Sequence, residues 1–264
     1  VAALHIWLQR LGLWPAGMQA TLDRNALELG EEAVAAARAR SDAEAAARRR
    51  QARSIEFNGK LRDPEDTDWS VLEAELVRSL PQSLLRTPLG RPAALAAARP
   101  SVRQPGGTST GGGTGGQTFA PSAKTEMIGR LGELAVRHWL QARLPKQDIG
   151  AGWVSGNAEA FTGRQGNDGL GYDFEISWHR QTWQIEVKAS LNDPRNFELG
   201  ETEVRAGRAA ARARSGLQYW VAYVSNLSDP ASAKIELIPN PLGEAGEAVL
   251  ELAGEGLRYR FRRI

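Results

Sequence analysis

The chain has 264 residues, 33 Lys and Arg against 31 Asp and Glu for a formal net charge of +2, no Cys and three His. Without Cys there is no disulfide framework, no thiolate nucleophile and no Cys-type zinc site. No run of about 18 apolar residues is present to span a membrane, and no charged-then-apolar leader opens the chain, so the expected setting is cytoplasmic with no membrane partner.

A sequence pI of about 9.1 says little when the charges nearly balance. A nucleic-acid partner has to be argued from local residues. Residues 1–104 are predicted as a mainly helical region. His5, Ile6, Leu8, Leu11, Leu13 and Trp14 form an apolar cluster that Pro15 breaks. Residues 31–53 are rich in Ala, Arg and Glu, strong helix formers with few large apolar anchors, and predict a long exposed helix or connector. Arg48, Arg49 and Arg50 within it read as a solvated face. SIEFNGKL (54–61) has strand character around an Asn-Gly turn signal. Residues 69–80 space Val71, Leu72, Leu76 and Leu80 for an amphipathic helix. No chemistry is visible in this region. It reads as a helical support or interaction region, and with Val as its first residue the chain is expected to be the tail of a longer protein.

Residues 105–120 are predicted as a flexible tether. The stretch PGGTSTGGGTGGQT (105–118) holds no apolar side chain whose burial would offset its ordering entropy. A phosphate-cradling loop would need a strand before the glycines and Lys-Ser/Thr after them, and neither is present.

Residues 121–264 change to alternating elements. Residues 125–143 predict a helix with Thr125 as N-cap and Glu126 in the first turn. Ile128, Leu131, Leu134, Ala135 and Trp139 line one face. Gly129 and Gly132 each cost about 1 kcal/mol inside a helix, which predicts close packing at both. Residues 170–178 and 183–189 alternate as two strands of a hairpin around HRQT. A helix over 201–214 and strands over 217–225, 234–239, 248–252 and 257–263 follow. This order predicts an α/β sheet with helices on its faces.

The informative constellation is GYDFEI followed by IEVKAS. Asp173 lies on the first strand of the hairpin. Glu186 and Lys188 are two apart on the second, so their side chains share one face. Two carboxylates brought within about 4–5 Å favour a cation between them. A nearby ammonium can orient a water and stabilise a developing oxyanion. Metal, two carboxylates and Lys together suit phosphodiester hydrolysis.

These residues resemble the PD-(D/E)xK nuclease superfamily. Asp173, Glu186 and Lys188 match its Asp and Glu-x-Lys, and Glu133 matches its helical acid. The ordered series more specifically resembles the domain named after the C terminus of the plant protein NO VEIN. It comprises Gly129, Gly132, Glu133, Gly171, Tyr172, Asp173, Ile185, Glu186, Val187, Lys188, Phe197, Leu199, Glu203 and Tyr219, over about residues 124–226. The first acid follows Tyr172 where the motif's name has Pro. The resemblance implies a restriction-endonuclease-like mixed sheet flanked by helices. It implies a catalytic set of Glu133, Asp173, Glu186 and Lys188. Mg²⁺ or Mn²⁺ would rest on Asp173, Glu186 and the Val187 carbonyl, with DNA as the partner. It also implies an ATPase- or helicase-type module in the same longer chain. A catalytically silent nucleic-acid-binding or interaction module of the same fold is the alternative.

Other groups read more plainly. Asn167 and Asp168 suit a turn, Glu175 and Glu198 a surface, Glu203 a helix N-terminus. His138 and His179 are too isolated for a metal pair or triad. Arg205, Arg208 and Arg212 share a helix face, and Arg258, Arg260 and Arg262 alternate along a strand. Both rows are candidates for phosphate contacts, against a solvated helix face and charge protection of a sheet edge.

Overall fold

The computed structural model describes residues 19–90, 122–213, 216–252 and 258–261. The apolar cluster at residues 5–14, the Gly-rich stretch 105–120 and Arg262 lie outside the described residues. The chain divides into two compact units, Val1–Arg53 and Ser54–Ile264.

In the first unit, α1 runs Gln19–Arg53. Its side chains from Glu31 to Ala52 are exposed apart from a half-buried Ala45, as expected of a helix made by propensity without large apolar anchors. Arg50 and Arg53 in its last turn oppose the negative end of the helix dipole.

The second unit opens with the hairpin β1 (Ile55–Phe57) and β2 (Lys60–Arg62). Asn58 and Gly59 join the two strands at φ 51° and 69°, the positive values that a two-residue turn matching strand twist requires. Helix α2 (Trp69–Ser79) is capped by Asp68, whose carboxylate accepts from the Ser70 and Val71 N–H groups. Leu72, Leu76 and Leu80 form its buried stripe, while Val71 is 54% exposed. Val71 therefore does not join the predicted apolar face, because one residue is a 100° turn off the 72/76/80 line. A single turn, α3 (Gln82–Leu85), follows. Ile55, Phe57, Leu72, Leu76, Leu80 and Leu84 belong to the same core as the elements after the Gly-rich stretch. The region grouped by sequence as 1–104 is thus split by its contacts at Arg53.

Helix α4 (Ala123–Arg143) is capped by Ser122, which accepts from the Thr125 N–H at 3.2 Å. Thr125 lies inside the first turn instead of capping it. Leu131, Leu134, Ala135 and Trp139 are fully buried. Two short turns, α5 (Ile149–Gly152) and α6 (Glu159–Thr162), precede the main sheet.

That sheet has the order β3-β4-β6-β7, with β3 (Phe174–Trp178), β4 (Gln181–Ala189), β6 (Leu217–Ser225) and β7 (Lys234–Pro239). The β3–β4 and β6–β7 pairs are antiparallel and the central β4–β6 pair is parallel. Parallel neighbours need a crossover, and the segment between them holds β5 (Asn196–Glu198) and helix α7 (Glu201–Arg212). Alternation divides the sheet's side chains between two cores. Trp183, Ile185, Val187, Trp220, Ala222 and Val224 join α4. Tyr219, Val221, Tyr223 and Ile238 join Val204, Ala206 and Ala210 of α7. The fold is mixed α/β, a four-stranded mixed sheet flanked by helices.

A second sheet has the order β5-β9-β8, with β8 (Leu250–Leu252) and β9 (Arg258–Phe261) after the turn α8 (Glu244–Glu247). Arg258 and Arg260 pair with Glu198 and Asn196 of β5, so β9 is the central strand and not an edge. Edge protection therefore does not account for Arg258 and Arg260. Among the described residues no helix is long and apolar enough to cross a membrane.

Candidate active site

Asp173 sits one residue before β3. Its N–H donates to the Ile185 carbonyl at 2.9 Å, continuing the ladder by one step. Strand β4 runs on beyond this point. The Asp173 carboxylate turns in and accepts the Val187 N–H at 2.7 Å, in place of a strand partner.

The period of two puts Glu186 and Lys188 on one face of the sheet, as the sequence implies, and the structure makes it the face that α7 covers. The Lys188 ammonium lies 2.9 Å from Glu186 Oε1 and 2.7 Å from Glu203 Oε2. Glu203 is in the first turn of α7, where the same Oε2 also accepts the Gly200 N–H at 2.9 Å. It therefore does both jobs, capping the helix and holding the lysine. The Gln184, Glu186 and Lys188 positions lie beside Tyr219, Val221 and Tyr223 in the parallel register. The Tyr219 hydroxyl is buried and donates to the Gly171 carbonyl at 3.1 Å. Gly171 itself has φ 82°, and a Cβ there would stand 2.2 Å from the Thr202 carbonyl oxygen. Only glycine lets this turn approach the start of α7.

Glu133 reaches the site from the other side of the sheet. Gly132 brings α4 against β4, since a Cβ there would lie 2.4 Å from the Ala189 Cβ and 3.3 Å from Val187 Cγ1. Gly129 faces open space, so the close packing predicted at both glycines holds only at Gly132. The Glu133 side chain is buried and both oxygens accept hydrogen bonds. Oε2 takes the Trp153 indole N–H at 2.6 Å and the Ser155 hydroxyl; Oε1 takes the Asn157 amide N–H at 2.6 Å.

The electrostatics are those of too many buried acids for one cation. Burial pushes the Glu186 carboxyl up to about 8, against the pull of the Lys188 ammonium. Burial, then the Glu133 and Glu186 carboxylates, hold half-buried Asp173 well above the usual carboxylate range. Burial raises Glu133 also, partly opposed by its three hydrogen-bond donors. Burial opposes the Lys188 charge, but Glu186 and Glu203 outweigh it and the ammonium titrates above its ordinary value. Burial and the surrounding carboxylates raise Tyr219, which stays a neutral phenol.

Asp173 and Glu186 suit a hard divalent cation, being oxygen donors in a cluster short of positive charge. Among the described residues no three His, Asp or Glu side chains are spaced to hold a metal ion. A cation would rest on this pair with a backbone carbonyl such as that of Val187. Glu133, with both oxygens engaged, does not fit as a direct ligand.

Arg205, Arg208 and Arg212 are exposed on α7, and Arg205 donates to the Gly169 carbonyl at 2.9 Å. Asn167 caps a short turn through the Gly169 N–H, and Asp168 accepts the Gly156 N–H at 2.6 Å, both structural tasks. Glu175, Glu198 and His179 are exposed, and His138 pairs with Glu73 at 3.0 Å. Trp153, Ser155 and Asn157 carried no signal in the sequence, being one short loop without a motif. Glu203 had one, its place in the ordered family series.

Fold and site together define an α/β domain with a buried carboxylate–lysine cluster where β3 and β4 part. Residues 132–238 match the family model described as "Protein NO VEIN, C-terminal", so this segment of the chain is similar to that family. The match starts at Gly132 and includes Glu133, Asp173, Glu186, Lys188, Glu203 and Tyr219. Searches of curated proteins and of solved structures returned no match.

Proposed function

We propose that this domain hydrolyses DNA phosphodiesters with Mg²⁺ or Mn²⁺, in the manner of the PD-(D/E)xK enzymes it resembles. One observation carries the reading: the Lys188 ammonium, 2.9 Å from Glu186, belongs to the same acid-rich cluster as Asp173. The cation, when bound, supplies neutralising charge for the phosphate and a more acidic water. Asp173, Glu186 and the Val187 carbonyl would hold it. Lys188 orients the attacking water or stabilises the charge that develops on the phosphoryl oxygens. Glu203 keeps Lys188 protonated and aimed. Glu133 completes the acidic environment from behind Asp173. The exposed Arg208 and Arg212 supply phosphate contacts that carry no base information. By the same resemblance, the proposal extends to an ATPase- or helicase-type module on a longer chain.

The test is plasmid nicking by the purified chain with Mg²⁺ or Mn²⁺. Asp173→Ala and Lys188→Ala each abolish it. Equal cleavage by wild type and both variants assigns the activity to a contaminant and rejects the reading. Salt-sensitive DNA binding without cleavage replaces it with the catalytically silent module.

A further inference from the structure

Helix α2 lies before the Gly-rich stretch and outside the family match at 132–238. Two of its side chains nevertheless begin separate routes to the two oxygens of Glu133. The first starts at half-buried Trp69. The Arg130 guanidinium lies over its ring, 4.5 Å from the centroid. Arg130 Nε donates to Asn157 Oδ1 at 3.1 Å, and Asn157 Nδ2 donates to Glu133 Oε1 at 2.6 Å. An arginine only donates and a carboxylate only accepts, so these two neighbours dictate which way the Asn157 amide faces. The second route starts at Glu73, one helical turn after Trp69. Glu73 accepts from Arg137 Nη1 at 3.0 Å. The Arg137 guanidinium sits 5.6 Å from the centre of the Trp153 ring, and Trp153 Nε1 donates to Glu133 Oε2 at 2.6 Å.

Each arm crosses from α2 to α4 and then to the 153–157 loop. A cation over an aromatic face holds each of them at one step. Phe161 closes the arrangement, edge-on to Trp69 and stacked on Trp153. A buried carboxylate with two independently steered oxygens has one orientation available to it.

We infer that Trp69, Glu73, Arg130 and Arg137 are positioning residues for the Glu133 carboxylate, supplied in part by a segment outside the family match. In catalysis this rests on the hydrolytic reading above; as a statement about the carboxylate it does not. A misplacement of about 1 Å at a site, caused by a change far from the chemistry, can cost up to on the order of a hundredfold in rate.

The test uses ¹H–¹⁵N spectra of the full chain, with the Trp153 indole assigned through Trp153→Phe. Arg130→Gln shifts the Asn157 side-chain amide pair, and Glu73→Gln shifts the Trp153 indole signal, although Glu73 donates nothing to Trp153. Arg164→Gln, which breaks only an exposed ion pair with Asp148, leaves both in place. Where the wild type cleaves DNA, both variants lower kcat about tenfold with little change in KM. If a glutamine variant does not fold, Arg130→Lys and Glu73→Asp provide the same comparison with charge retained. Signals in the Arg130 and Glu73 variants that move no more than in Arg164→Gln overturn the inference. Absence of cleavage in every protein overturns the hydrolytic reading alone, and the spectra then decide the positioning.

Discussion

The Asp173 carboxylate accepts the backbone N–H of Val187 at 2.7 Å, closing the gap where β4 outruns β3. One acid thus serves as a strand partner and as a member of the crowded pocket. Its burial and its neighbours Glu133 and Glu186 make the charged form costly.

Asp173→Asn separates the two roles. Asparagine still offers an oxygen to Val187 but carries no charge. Its metal-free melting temperature equals or exceeds that of wild type by up to about 4 °C, on the order of 1 kcal/mol for a domain of this size. Mg²⁺ at a hundred times its Kd stabilises wild type by about 2.7 kcal/mol, and this gain vanishes in the variant. Thermal melts with and without Mg²⁺ read both effects. A variant that melts lower and keeps its Mg²⁺ response sinks the assignment.

The pH dependence follows from Glu186. Its folded-state pKa is raised from 4.5 to about 8, so between those values the folded chain holds a proton that the unfolded chain has lost. Stability therefore falls as pH rises through this window. Asp173 and Glu133, also raised, contribute with the same sign. Urea melts of metal-free protein at pH 5, 6, 7 and 8 should show the decline. Glu186→Gln flattens it, and so does saturating Mg²⁺. A rise in stability from pH 5 to pH 8 would count against the pocket as described.

The two glycines of α4 give opposite results. Gly132→Ala places a methyl 2.4 Å from the Ala189 Cβ. It forces α4 away from β4 and costs about 1–3 kcal/mol, as overpacking does, despite the helix propensity of alanine. Gly129→Ala enters open space and gains up to about 1 kcal/mol. Chemical denaturation of both variants checks the pair, and equal signs would refute it.

DNA binding, if Arg208 and Arg212 contact phosphates, has a measurable salt signature. Alanine at either position reduces the slope of log K against log salt by about 1. Fluorescence anisotropy at four salt concentrations suffices. Arg205→Ala differs, because its guanidinium holds the Gly169 carbonyl at 2.9 Å, and it lowers stability as well. Unchanged slopes remove this helix face from the interface.

The sequence carried the elements whose period is strong. Strands 217–225 and 234–239 agree with the fold to the residue, because a buried apolar run leaves few alternatives. The predicted strand at 170–178 is shorter, starting at Phe174, since Gly171 turns at positive φ. Ser122 displaced Thr125 as the cap because both side chains suit that position and only the path of the chain selects one.

For the site, the pairing of Glu186 with Lys188 was determined locally, by alternation along one strand. So was Asp173 opposite them, since a hairpin brings its two strands into register. The three donors on Glu133 come from a loop 20 to 24 residues further on, and the two routes behind them start about 60 residues upstream. No spacing rule reaches that far. Contacts of this kind exist only once α2, α4 and the 153–157 loop share a core, where burial makes every polar partner count. The residue types of the carboxylate–lysine cluster were therefore written in the sequence, while the direction in which Glu133 points was decided by the tertiary structure.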